Sequence, residues 1–196
     1  MVPTTPLSHS QALKAASHST HERLDHRIMR AQPFAELANY GRFLQMQWRF
    51  HTDIAALFER ADLALLLPDL WERQRLREIE RDLADLNLAP PAPGAQPPAL
   101  QAQQATLPEA LGWFYVAEGS NLGAALLFKA AANLGLDERR GARHLAGHPE
   151  GRLRHWRGFT DMLDAQPLTA ADQDSMAAGA RAAFERVHHH VDMLLA

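Results

Sequence analysis

The chain of 196 residues contains no cysteine. That absence removes disulfides, thiolate metal sites, iron–sulfur clusters and cysteine nucleophiles, and it fits a reducing compartment. Basic charge is not in excess either: 20 Lys and Arg against 23 Asp and Glu give a formal net charge of −3, which argues against a nucleic-acid-binding surface. No apolar run approaches the roughly 18 residues of a membrane span, and Met1 to Gln11 lack the charged region and apolar core of a signal peptide. These two absences point to a cytoplasmic protein without a membrane partner. Missing as well are a Ser/His/Asp signature, a phosphate loop, a His-Glu-x-x-His motif and any internal repeat. The 46% apolar and 22% charged fractions are ordinary for a globular protein. A chain of this length buries about 70% of its unfolded surface, so residues 1–196 read as one domain whose stability gives no reason for a cofactor.

What is present is helical periodicity, with apolar residues recurring three and four apart and no convincing strand alternation. A first helix runs from about residue 10 to 30, with Ser8 or Ser10 as N-cap and Pro33 marking its end. A second, about 37–60, sets Phe43, Gln47, Phe50, His51, Ile54 and Phe58 on one inward stripe. A third, about 70–86, turns Leu76, Ile79, Leu83 and Leu86 to the core and places Arg75 one turn before Ile79. Residues 87–106 carry Pro90, Pro91, Pro93, Pro97 and Pro98 with Gly94, a composition that blocks helix and reads as an extended internal linker. Beyond it come a helix over about 109–133, the segment 136–146, a basic helix over about 150–163 and a last helix over about 170–195. The expected class is all-α, about seven helices in crossed packing.

Two of these helices carry the chemistry. Leu13, Ser17, His21, Leu24 and Ile28 are spaced four, four, three and four apart, which puts an imidazole among inward-facing positions of the first helix. A lone histidine on such a stripe is usually a core histidine with a local hydrogen bond. The helix over 109–133 contains Glu118–Gly119–Ser120–Asn121–Leu122–Gly123, two glycines four apart where each costs about 1 kcal/mol relative to alanine. Gly112, Tyr115, Gly119 and Gly123 share one face, and close packing between helices explains that face as well as a ligand site does. Ser120 and Asn121 beside it are more polar than packing requires. Together the two helices suggest a flat ligand held between an imidazole and a bare backbone. Lys14 and Tyr115 are then the groups to anchor its acidic substituents, against the simpler reading of Lys14 as a solvated lysine. The stretch Gly141 to Arg152, with His155, Trp156 and Arg157, reads as a solvated connection rather than a metal site because carboxylates are sparse. His188, His189 and His190 read as surface residues.

Ala110 through Ala125 (Ala-Leu-Gly-Trp-Phe-Tyr-Val-Ala-Glu-Gly-Ser-Asn-Leu-Gly-Ala-Ala) and Phe128–Lys129 resemble the bacterial heme oxygenases. So do Gln32–Pro33–Phe34, Gln47 through His51, Gly141 through Ala146 and His155–Trp156–Arg157, a likeness running from Leu13 to about Phe184. The resemblance implies a heme-oxygenase-like helical fold with heme between a proximal and a distal helix. By position, it makes His21 the axial ligand of heme iron and Gly119 and Gly123 the distal glycines, flanked by Ser120 and Asn121. Lys14 and Tyr115 match propionate contacts, while Gln47, His51 and Arg75 match polar positions around a distal water network that delivers protons.

Heme is then both substrate and cofactor, consumed with O2 and electrons to give biliverdin of the IX-alpha type, Fe2+ and CO. A neutral His21 leaves the opposite face of the iron open to O2, with its other N–H taken by an acceptor such as Glu22. The chain has no flavin or nicotinamide motif, so electrons come from a ferredoxin or an NAD(P)H-dependent reductase, docked by basic residues such as Lys129 and Arg143. The alternative is a heme carrier or sensor that does not degrade its ligand. A third option is a helical interaction domain with no cofactor.

Overall fold

A computed structural model of the chain describes residues 7–92, 100 and 102–195. Among these residues the secondary structure is helical, as the periodicity predicts, and the only β pairing is an isolated bridge of Asp137 with Arg140 and Gly141. The seven α-helices are α1 (His9–Arg30), α2 (Leu37–Asp53), α3 (Ala61–Leu66), α4 (Leu76–Asp85), α5 (Leu107–Ala132), α6 (Arg152–Asp164) and α7 (Ala170–Leu194). Side-chain caps set three of the starts: Ser8 with Gln11 on α1, Thr106 ahead of Pro108 on α5, and Thr169 with Asp172 on α7. Each cap satisfies backbone N–H groups that the first turn leaves without partners, worth about 1 kcal/mol.

Four boundaries differ from the sequence expectation. The helix expected over 37–60 stops at Asp53 and tightens into a 3-10 turn at Ala55–Glu59. Asp53 turns its carboxylate to Arg186 and His190 of α7, and Phe58 stays in the core. The helix expected over 70–86 divides into a 3-10 turn, Leu70–Arg73, and α4, with Arg75 at the N-cap and Arg73 pointing inward to Glu118. Residues 136–146 form no α-helix, because Gly135 and Gly141 adopt left-handed φ of 75° and 76°, and only Arg143–Leu145 make a 3-10 turn. Of the linker expected over 87–106, residues 93–99 and 101 lie outside the described residues, while Leu100 and Ala102 are buried.

The core is organised around α5. Every residue from Ala110 to Glu118 is buried, and the main partner of this half-helix is α7. The two helices interlock through reciprocal glycines. A Cβ on Gly112 would lie 2.0 Å from the carbonyl oxygen of Met176, and one on Gly179 would lie 2.3 Å from that of Glu109. Both α1 and α5 rest on α6 and α7. At its start α1 is pinned to α6 by hydrogen bonds from Ser10 to Asp164, and near its end to α7 by Arg27 with Asp192.

Candidate functional site

On α1 the stripe read from the sequence is buried at Leu13, Ser17 and Leu24, but His21 is not inward-facing: its side chain is 55% exposed. The stripe faces α7 along one flank only, and His21 stands at the margin, its ring edge-on to Phe184 with centroids 5.8 Å apart. A core histidine is therefore excluded. Its Nδ1 lies 3.4 Å from Asp25, one helical turn on, whereas Glu22 pairs with His18 at the same distance. The carboxylate beside His21 is Asp25 rather than Glu22, as i,i+4 geometry favours. Lys14, two turns before His21, is exposed and in no ion pair among the described residues.

On α5 the four residues of the expected face separate into two kinds. Gly112 belongs to the lock on α7, where the packing explanation holds. Gly119 and Gly123 do not: a Cβ on Gly119 would meet only Trp156, at an ordinary 3.9 Å, and one on Gly123 would meet nothing within 4 Å. From Gly119 onward this apolar helix comes to the surface, with Gly123 and Ala125 exposed and Leu126 78% exposed. An apolar helix surface left uncovered marks a ligand or partner face. Tyr115 is buried against Trp156, with ring centroids 5.5 Å apart, and burial raises its pKa. Ser120 returns its hydroxyl to the carbonyl of Ala117 at 2.7 Å. Asn121 accepts a hydrogen bond from Arg152 through its backbone oxygen.

The other polar residues come from α2, the start of α4, the 3-10 turn Arg143–Leu145 and α6, of which α6 and the turn pack on α5. His51 is buried, and burial, followed by the nearby His144 and Arg75, pushes its pKa down to about 3, so it is a neutral hydrogen-bonding group. Gln47, one turn earlier, and Arg75 are half-buried. His51 Nδ1, Arg75 Nε, His144 Nε2, Glu118 Oε1 and His155 Nε2 are all buried without a hydrogen-bond partner. Buried polar atoms of this kind call for ordered water.

The sequence reading missed the carboxylates that organise these residues. Asp82, fully buried, accepts from the backbone N–H of Arg143 and His144 and pairs with His144 Nδ1 at 2.9 Å. Glu118 accepts from Arg73 at 2.6 Å. The stretch Gly141 to Arg157 is thus no solvated connection, since His144 and His155 are buried and Arg152 is hydrogen-bonded inside. Arg143 is held by Asp82 and Asp85 and is not free to dock a partner. Nor are all three C-terminal histidines superficial: His190 is buried and bonds Asp53 at 2.7 Å. The density of His and Arg over 141–157 was the available signal. Carboxylates distant in sequence gave it its meaning.

Among the described residues no cluster of three or more His, Asp or Glu side chains is placed to hold a bare metal ion. His21, exposed at the edge of α1 beside Phe184, can offer one imidazole to an iron already held by a macrocycle. The bare backbone at Gly123, the uncovered apolar face of α5 and the free ammonium of Lys14 suit a flat apolar ring system with acidic substituents. These residues therefore fit heme.

The sequence profile of the heme oxygenase family matches residues 7–192. The heme oxygenase PigA of Pseudomonas aeruginosa is 41% identical over 177 residues, covering 90% of this chain and 88% of that protein. The NO- and CO-bound heme oxygenase of Neisseria meningitidis superposes with a TM-score of 0.90 at 36% identity, over 97% of this chain and 93% of that one. The Leptospira interrogans heme oxygenase, 20% identical, shares the fold at a TM-score of 0.76 over 96% of this chain and 100% of that one. With nearly the whole length matched in both sequence and structure, the chain belongs to the heme oxygenase family, enzymes that oxidise heme.

Proposed function

We propose that the chain works as one cytoplasmic heme-binding domain that cleaves heme to biliverdin, Fe2+ and CO, with His21 as the protein ligand to the iron. Bound heme supplies the iron that activates O2 and is itself the molecule oxidised. The observation that carries this reading is a half-exposed imidazole on one helix together with glycines on another that no part of the chain fills. Asp25, 3.4 Å from His21 Nδ1, stands where a hydrogen bond made on heme binding would fix the tautomer, orient the ring and leave Nε2 for iron. Gly119 and Gly123, flanked by Ser120 and Asn121, let the backbone of α5 approach the opposite face and keep any side-chain acid or base away from it. Gln47, His51 and Arg75 position water that carries protons to the reacting oxygen. A neutral His51 suits that task because it accepts and donates without adding charge.

Electrons come from a ferredoxin or an NAD(P)H-dependent reductase. Lys129, exposed in the last turn of α5, is the remaining candidate for docking it. Lys14 and Tyr115 hold the propionates, which sets the rotation of the ring and so the carbon attacked. A charged hydrogen bond of this type contributes about 1.5–3 kcal/mol, enough to select one orientation tenfold or more. The expected product is the α isomer, and a mainly β or δ biliverdin on chromatography would overturn these anchors.

The ligand assignment is tested with His21→Ala. Its ferrous heme complex should lack the Fe–N(imidazole) stretch in resonance Raman spectra, and persistence of that band without added imidazole would show another ligand. Loss of the Soret band with biliverdin release under reductant and O2 separates an oxygenase from a carrier, which would keep its heme intact.

A further inference from the structure

Glu118 immediately precedes Gly119 yet points away from the open face of α5, into the interior, where only 2% of the residue is exposed. Its Oε2 accepts from Arg73 Nη1 at 2.6 Å, while its Oε1 is buried with no partner. Arg73 does not need this carboxylate. Its Nε and Nη2 already engage both oxygens of Asp69, at 3.0 and 2.8 Å. A second carboxylate on one neutralised guanidinium is costly to keep ionised in a buried site. The groups facing it are Arg73 and Asp69 at the 3-10 turn, Arg75 at the start of α4, and His155 of α6, whose Nδ1 is 3.6 Å from Oε2. His155 stacks on His148, with centroids 4.4 Å apart and planes within 11°. His148 lines the same cavity as Glu118 and His155 and stands 3.8 Å from the exposed Glu72, so the two imidazoles lie between the carboxyl and the surface. At the inner end, Glu118, Arg75, Asn121, His155 and Trp156 line a cavity of about 10 Å³, room for roughly one water.

We propose that Glu118 is a proton-holding residue that feeds the distal side of the heme site, refilled from solvent through water in the cavity that His148 and His155 line with it. This rests on the heme oxygenase reading, in which reduction of O2 consumes protons. In each cycle the Glu118 O–H bond breaks and its proton passes to the cavity water beside Arg75. The carboxylate then takes one proton back from cavity water on the His155 side, and that water is reprotonated from solvent by way of His148, so the net change is one proton moved inward. Protonation equilibria agree with this assignment. Burial pushes Glu118 up to about 7 against the pull of Arg73 and Arg75, and burial followed by Arg73 pushes His155 down to about 4. The carboxyl thus keeps a proton at a pH where an exposed glutamate has lost it, and the imidazole is neutral, able to accept on one nitrogen and donate from the other.

The test has two arms. In the protein without heme, infrared difference spectra across a pH titration should show a protonated carboxyl band lost near neutrality in the wild type and missing in Glu118→Gln. In the heme-loaded protein, Glu118→Gln should keep wild-type heme affinity but slow biliverdin formation on the order of 10–100-fold, with a larger solvent isotope effect and without the alkaline decline of the wild type. His148→Phe keeps the stack but not the relay, and it tests the path without disturbing the buried ion pair. It should slow turnover and be rescued by added imidazole. The absence of a carboxyl titrating near neutrality, or wild-type rate and pH profile in both variants, would overturn the proposal. Loss of heme binding or of all biliverdin formation in the wild type would instead overturn the function on which it rests.

Discussion

The two halves of α5 use the same residue for opposite ends. From Leu107 to Glu118 the helix is interior, and Gly112 is there because the backbone of α7 occupies the place of its side chain. From Gly119 to Ala132 it reaches the surface, and Gly123 faces open space. In the first half glycine serves the fold at the expense of helix propensity. In the second it contributes nothing to the apoprotein that alanine would not improve, so its reason lies outside the chain. Spacing alone cannot separate the two cases, because a glycine that meets a neighbouring backbone and one that meets a ligand leave the same mark in a sequence.

The largest effect should follow from filling the first kind of glycine. Gly112→Val drives a branched side chain into the carbonyl of Met176 and the N–H of Ala180, backbone atoms that cannot move without separating α5 from α7. Overpacking against side chains costs about 1–3 kcal/mol, and against backbone the loss should exceed that, leaving a protein that unfolds at much lower denaturant or does not accumulate folded. An unchanged denaturation midpoint would show that the helices are not locked at this crossing.

The second kind of glycine should reverse the pattern. A Cβ at Gly123 would meet no atom within 4 Å and the position is exposed, so in Gly123→Leu the apoprotein should unfold at the wild-type midpoint or slightly above it. Heme turnover should fall, because the new side chain occupies the face the ring needs. A clash worth about 2–3 kcal/mol corresponds to a loss on the order of 100-fold. If turnover survives, the uncovered face of α5 is not the heme face.

The all-α class, the cap at Ser8, the inward stripe of α2 and the two chemistry-bearing helices were legible because they rest on local spacing and short-range hydrogen bonds. The exposure of His21 was not, since a stripe shows which residues share a face but not how far the partner helix covers it. The buried networks were further out of reach. Glu118 with Arg73 joins residues 45 apart, Asp82 with His144 62 apart, and Asp53 with His190 137 apart. Each is invisible until the chain is folded, although the His- and Arg-rich run over 141–157 announces that something must neutralise it.

Gly119 lies at the join of the two halves, and the smallest substitution there sharpens the comparison most. Gly119→Ala adds one methyl group 3.9 Å from the Trp156 ring, an ordinary van der Waals contact, within a helix whose backbone is already α. Alanine is favoured over glycine in a helix interior by about 0.8–1 kcal/mol, and half-burial of the site leaves most of that gain intact. The apoprotein should therefore be more stable by somewhat under 1 kcal/mol, read as a higher midpoint with an unchanged denaturant slope. Heme affinity and turnover should move the other way, by a few-fold, because a single methyl group holds the backbone off the ring without blocking the site. Stability and activity shifting in opposite directions from one methyl group is the signature of a glycine retained for a ligand. A loss of both together would place Gly119 with Gly112, on the packing side of the boundary.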